Sequence, residues 1–211
     1  SITIEKTNVV PNDAKYSKDI SSKQDGSVML WYTDKDNNSL YEVSIGSENG
    51  SLEANTNGSG MFSYLDNVDT LDLTGLDTSN MTSMSMMFYK STSLKSIDVS
   101  GFDTSKVVNM NGMFWECSNL TSINISNFNT SKVTNMQGMF YGCSSLTTLD
   151  LSNFNTSNVT AMASMFDSCT NLKNLNLSSF NTGRVTNMNR MFTNCKNVEN
   201  LNLSSFDTSK V

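Results

Sequence analysis

From residue 61 onward the hydrophobic positions of this chain recur in strict register. Phe88, Phe114, Phe140, Phe166 and Phe192 lie 26 residues apart, and so do Met87, Met113, Met139, Met165 and Met191. A fixed period of about 20–50 residues marks a solenoid, a propeller or an array. A four-stranded propeller blade needs more chain than this period supplies, whereas one short strand plus one short helix fits it. Five full repeats occupy 71–200, after a half-repeat at 61–70 and before a truncated sixth at 201–211.

Within each repeat the pattern changes period. Leu149-Asp150-Leu151-Ser152 alternates apolar and polar positions, as a half-buried strand does. Asn155-Thr156-Ser157 carries the side chains that make Asx turns and helix N-caps. Met162, Met165, Phe166 and Cys169 then fall at i, i+3, i+4 and i+7, the spacing of one apolar helix face. The expected fold is therefore an α/β repeat solenoid, a right-handed leucine-rich-repeat-like stack. It would have one short parallel strand and one short helix per 26-residue coil.

Residues 1–60 follow different rules. Segments 27–33 and 40–45 alternate as strands around the polar turn 34–38, which predicts a hairpin. A solenoid must cover its terminal apolar face, so 1–60 is expected to be a β-rich cap, with 1–26 partly extended along it. The chain opens on Ser1 and breaks off at Val211 in mid-repeat, so a piece of a longer protein is expected. Leu201, Leu203 and Phe206 would begin a coil lacking its second half, free to fray or to associate end to end.

Composition narrows the chemistry. Ser, Thr and Asn supply two-fifths of the 211 residues, whereas Asp, Glu, Lys and Arg make up only 16%. The absence of histidine removes the commonest general base and every histidine-ligated zinc site. A net charge of −6 argues against a nucleic-acid or anionic-membrane partner. No apolar run approaches the roughly 20 residues of a spanning helix. No catalytic constellation, cofactor motif or metal site is visible, so the expectation is a protein that is not an enzyme.

The ladders carry the remaining candidates. Cys117, Cys143, Cys169 and Cys195 are too widely spaced for a zinc motif and read as buried free thiols beside Phe114, Phe140, Phe166 and Phe192. The methionine columns read as core. The recurring Thr-Ser step, as in Thr130-Ser131, could order water, but capping of a following helix explains it better. Asp72, Asp98, Asn124, Asp150 and Asn176 would stand on the open strand face, too rich in Asn for calcium, as a strip able to bind a ligand. Trp115 and Tyr141 offer better anchors on the other side of the coil. The strand face ranks first because its side chains form one continuous surface.

The unit L-x-L-S-x-F-[DN]-T-S-x-V-T-x-M-x-x-M-F-x-x-C-x-x-L resembles the BspA-like leucine-rich-repeat proteins. More specifically, it looks like the 26-residue repeat of bacterial surface proteins found chiefly on Gram-positive bacteria and mycoplasmas. The match covers 61–211, and the departures are few: Met81 for Val, Val108 for Thr, Ser91 for Cys and Gly183 for Ser. The resemblance implies a secreted or wall-anchored extracellular protein that adheres to host matrix or cell-surface proteins or to glycans. The competing expectation is a passive stalk that presents another domain.

Overall fold

A computed structural model describes residues 2–5, 7–19, 28–33, 42–47, 50, 52–68 and 70–211 of this chain. Four strands form the cap: β1 Ile2–Glu5, β2 Tyr16–Asp19, β3 Val28–Thr33 and β4 Glu42–Ser47. β2, β3 and β4 pair antiparallel, with β3 and β4 in register from Val28↔Ser47 to Thr33↔Glu42. The expected hairpin is thus present, although its turn at 34–38 lies outside the described residues. β1 lies parallel to β4 on one side and to the first solenoid strand on the other. It joins the cap to the array, with Ile4 buried in the common core.

The array repeats one parallel rung. After β5 Leu52–Glu53 come β6 Thr70–Asp72, β7 Leu76–Asp77, β8 Ser96–Asp98, β9 Ser122–Ile123, β10 Thr148–Leu149, β11 Asn174–Asn176 and β12 Asn200–Asn202. β6, β8 and β9 extend the cap sheet, and β10 to β12 continue the stack as a second parallel sheet. The inner strands hold a buried Leu or Ile between polar neighbours, as at Leu71, Ile97 and Leu175, because one face must be dry and the other wet. A second parallel ladder joins Asn57, Ser83, Asn109, Asn135, Ala161 and Asn187 by single bridges. Bonding between coils begins at Leu52, whose N–H donates to the Gly75 carbonyl.

The helix expected in every coil is absent: the described residues contain none. Residues 84–91 instead run as consecutive tight turns. The N–H groups of Met87, Tyr89 and Ser91 donate to the carbonyls of Met84, Met86 and Phe88 at 3.0–3.3 Å. Met86 and Lys90 sit in the left-handed region at φ 54° and 55°. The alternate N–H groups, of Met84, Met86, Phe88 and Lys90, donate to Asn109, Asn111, Met113 and Trp115 of the next coil at 2.7–2.9 Å. An N–H given to a neighbouring coil is not available to the carbonyl four residues back, so a helix cannot form. The i, i+3, i+4, i+7 spacing is still obeyed, because the turns aim Met84, Met87, Phe88 and Ser91 inward. Fold class is corrected accordingly: the molecule is a β-solenoid, not an α/β stack.

The sequence held a sign of this. Gly60, Gly112, Gly138 and Gly142 occupy the left-handed positions in other coils. Glycine inside a helix costs about 1 kcal/mol relative to alanine, whereas a type II turn asks for it at its third position. Elsewhere the same positions hold non-glycine residues at positive φ, including Glu116, Ser164, Ser168 and Asn194. Each such residue costs about 1–2 kcal/mol, which the stacking must offset.

Stacking does so through a dry core. Phe62, Phe88, Phe114, Phe140, Phe166 and Phe192 form one column of nearly parallel rings, with neighbouring centroids 5.4–6.0 Å apart. Offset aromatic pairs add about 0.5–1.5 kcal/mol each beyond area burial. Leu151, Leu177, Met136 and Met162 fill the space beside them at 0–1% exposure. Burial falls away in the last rung, where Leu201 and Leu203 are both 38% exposed against 2% and 0% for Leu175 and Leu177.

Candidate functional site

On the strand face, Asp72, Asp98, Asn124, Asp150 and Asn176 do fall in one exposed column. Each has work within its own coil. Its Oδ1 accepts the backbone N–H two residues on, from Thr74, Ser100, Ser126, Ser152 and Ser178, at 2.9–3.2 Å. These are Asx turns that end the strand. Ser100 and Ser126 add their hydroxyls to the same oxygens. Donation from Ser100 and Ser152 holds the Asp98 and Asp150 carboxyls below the usual range, so both stay ionised at neutral pH. Shallow hollows follow the column along the sheet, floored by Leu71, Ile97, Ile123, Leu149 and Leu175.

The same device repeats at two further corners. Asp77, Asp103, Asn129, Asn155, Asn181 and Asp207 each accept the N–H two residues on. So do Asn57, Asn109, Asn135 and Asn187. The signal was legible as Asp or Asn recurring two positions before a small polar residue, but on the strand face it looked like an unused binding strip.

The Thr-Ser step has a different role from the expected cap. Thr78, Thr104, Thr130, Thr156 and Thr182 are 1% exposed. The Thr130 hydroxyl donates to the Asn155 carbonyl at 3.0 Å and accepts the Asn155 N–H at 2.8 Å. The other four make the same two-point bridge to the next coil. With no helix to cap and no exposure, this column neither caps nor orders surface water.

Cys117, Cys143, Cys169 and Cys195 are free thiols in one column, the first three buried and the last partly so. Each Sγ donates to a phenylalanine carbonyl of the preceding coil at 3.0–3.1 Å. Ser91 places its hydroxyl on the Phe62 carbonyl at 2.7 Å in the same way. Desolvation pushes the Cys117 thiol up to about 12 and the Cys143 thiol well above its ordinary range. The protons that these bonds need are therefore retained at neutral pH.

Trp115 and Tyr141 come together on the turn side, with stacked rings 4.0 Å apart. Tyr89 lies 6.3 Å from Trp115, and Tyr64 meets Tyr89 edge-on at 5.5 Å. The strip thus crosses four successive rungs, and Tyr64 is 61% exposed at its end. The Trp115 ring lies over Gly138, where a Cβ would overlap it. Beside the strip, Lys90 faces Glu116 at 3.6 Å. It stops at Asp167, a fully buried carboxylate held by the Arg190 Nε at 3.0 Å and the Ser168 hydroxyl at 2.8 Å. Sequence reading found 115 and 141 but not their continuation to Tyr89 and Tyr64. Among the described residues no three acidic or cysteine side chains converge to hold a metal ion, and no helix is long and apolar enough to cross a membrane.

Stacked 26-residue coils, tied by backbone bonds, buried threonines and thiols, define a β-solenoid repeat protein. Residues 56–149 and 144–211 match the family described as Mycoplasma protein of unknown function, DUF285. These matches span most of the chain, which therefore belongs to that family. No curated protein and no solved structure matches it.

Proposed function

We propose that this chain is a non-catalytic interaction module of a bacterial cell-surface protein of the BspA-like kind, displayed outside the cell. The observation that carries the proposal is the strip of Tyr64, Tyr89, Trp115 and Tyr141. On a surface rich in short neutral side chains, it gathers the residue types that dominate binding energy at interfaces. Trp115 and Tyr141 stack face to face along the array, so that pair offers edges and a hydroxyl rather than the flat faces on which sugars lie. That arrangement favours a host or neighbouring-cell protein over a glycan as partner. The strand face ranks second, because its side-chain oxygens already serve Asx turns. That same self-satisfaction supports the alternative of a passive stalk.

The test screens the chain against immobilised matrix proteins, with a glycan array beside them. It compares a Trp115→Ala/Tyr141→Ala variant with an Asp98→Lys/Asn124→Lys/Asp150→Lys variant, both checked for an intact melting transition. Loss of protein binding in the alanine variant alone is expected. Loss in the lysine variant alone would move the site to the strand face, and no binding by the parent chain would favour the stalk.

A further inference from the structure

A third strip lies away from both faces, on the corner between the Asx turn at 77 and the bridge at 83. The 26-residue register places Asn80, Lys106, Lys132, Asn158, Arg184 and Lys210 in one exposed column. Side chains in it lie along the array: the Lys106 Nζ reaches the Asn80 Oδ1 at 3.1 Å, and an Arg184 Nη reaches the Asn158 Oδ1 at 3.5 Å. Four of six rungs are cationic in a chain whose net charge is −6. They form two like-charge neighbour pairs, Lys106 with Lys132 and Arg184 with Lys210. These positions lie in turns, and like charges about 5 Å apart on adjacent turns repel each other.

Carboxylates offset only the outer cations of the column: Asp77 and Asp103 interact with Lys106, and Asp207 with Lys210. The middle rungs carry Asn129, Asn155 and Asn181 at that position, so Lys132 and Arg184 have no acid beside them there. An anion spanning adjacent rungs would turn each repulsive pair into a favourable one.

We infer that this corner binds a linear acidic polysaccharide lying along the solenoid axis. Its charged groups would meet the paired rungs at a spacing of about 5 Å and again about 14 Å further on, the rise of one and of three coils. A single-stranded nucleic acid fits less well, because the column has no aromatic side chain on which bases could stack. The site does not use the aromatic strip, so it stands or falls independently of the function proposed above.

The test measures binding of the full chain at low salt to three fluorescent probes of equal length. These are a heparin-type sulfated oligosaccharide, an oligogalacturonate and an oligothymidylate. At least one acidic sugar should bind more tightly than the oligothymidylate. Lys132→Gln/Arg184→Gln should weaken that binding about tenfold or more and flatten its salt dependence by close to two charges, about 1.4–1.8 in the log–log slope. A Lys173→Gln/Lys196→Gln control removes the same charge elsewhere and should change binding less than twofold. The melting temperature of Lys132→Gln should not fall, since it relieves a like-charge pair. Failure of both sugars to bind, tighter binding of the oligothymidylate, or an equal loss in the control would overturn the inference.

Discussion

The strand side and the turn side of each coil solve one problem in two ways. On the strand side, Leu71 or Leu175 sits between outward polar residues in extended backbone, and neighbouring coils pair as parallel strands. On the turn side, the backbone reverses sharply through left-handed residues, yet every second N–H still reaches the next coil. Both sides bury one column of side chains and send their hydrogen bonds along the array. The comparison teaches that an apolar spacing of i, i+3, i+4, i+7 reports which residues face the core, but not where the backbone hydrogen bonds go.

The variant that probes this difference most strongly is Gly138→Ala. In a helix it would stabilise by about 1 kcal/mol. Here Gly138 has φ +59° and lies against the Trp115 ring, so a loss of about 2–4 kcal/mol is expected in denaturant unfolding. Gly112→Ala should cost less, about 1 kcal/mol, because the nearest atom to its added Cβ is Met86 Cγ at 3.4 Å and only the backbone strain remains. Equal effects at the two positions would show that Trp115 does not rest on Gly138.

Next in size is Thr130→Val, which removes both bonds to Asn155 and leaves its N–H without the Thr130 hydroxyl. A loss of about 2–3 kcal/mol is expected. The exposed Thr134 donates its hydroxyl only to the Val108 carbonyl. Thr134→Val should stay within about 0.5 kcal/mol, as Val108 in the same column suggests. Similar melting shifts for the two variants would contradict the division into bridging and surface threonines.

These cases show what the sequence made legible. The period, the coil stacking and the inward columns of Phe, Met and Leu could be read directly, because burial is imposed at fixed intervals. The turn train could not be read from apolar spacing, since helix and turns bury the same positions; only the glycines at 60, 112, 138 and 142 distinguished them. On the surface, the alignment of Asp98, Asn124 and Asp150 was legible, whereas their engagement in Asx turns depends on backbone geometry. The continuation of the aromatic strip to Tyr64 was hidden because that residue stands one position out of register with Tyr89.

A smaller effect separates two readings of the thiol column. Cys143→Ala loses the donor to the Phe114 carbonyl and should cost about 1–2 kcal/mol. Cys143→Ser should cost less, because Ser91 already makes the equivalent bond. If serine proves the worse replacement, the column acts only by apolar packing. Smallest of all, Ser164→Gly relieves a left-handed residue at φ 55° and should stabilise by about 0.5–1 kcal/mol. A helix would respond with the opposite sign.

The claim that the turn side bonds between coils is most directly tested by NMR scalar couplings across hydrogen bonds in the isotope-labelled chain. The Met136, Gly138 and Phe140 amides should couple to the carbonyl carbons of Ala161, Ala163 and Met165 in the next coil, matching bonds of 3.0, 2.8 and 3.0 Å. Couplings from these amides to carbonyls four residues earlier in the same coil would contradict the account and restore the helix.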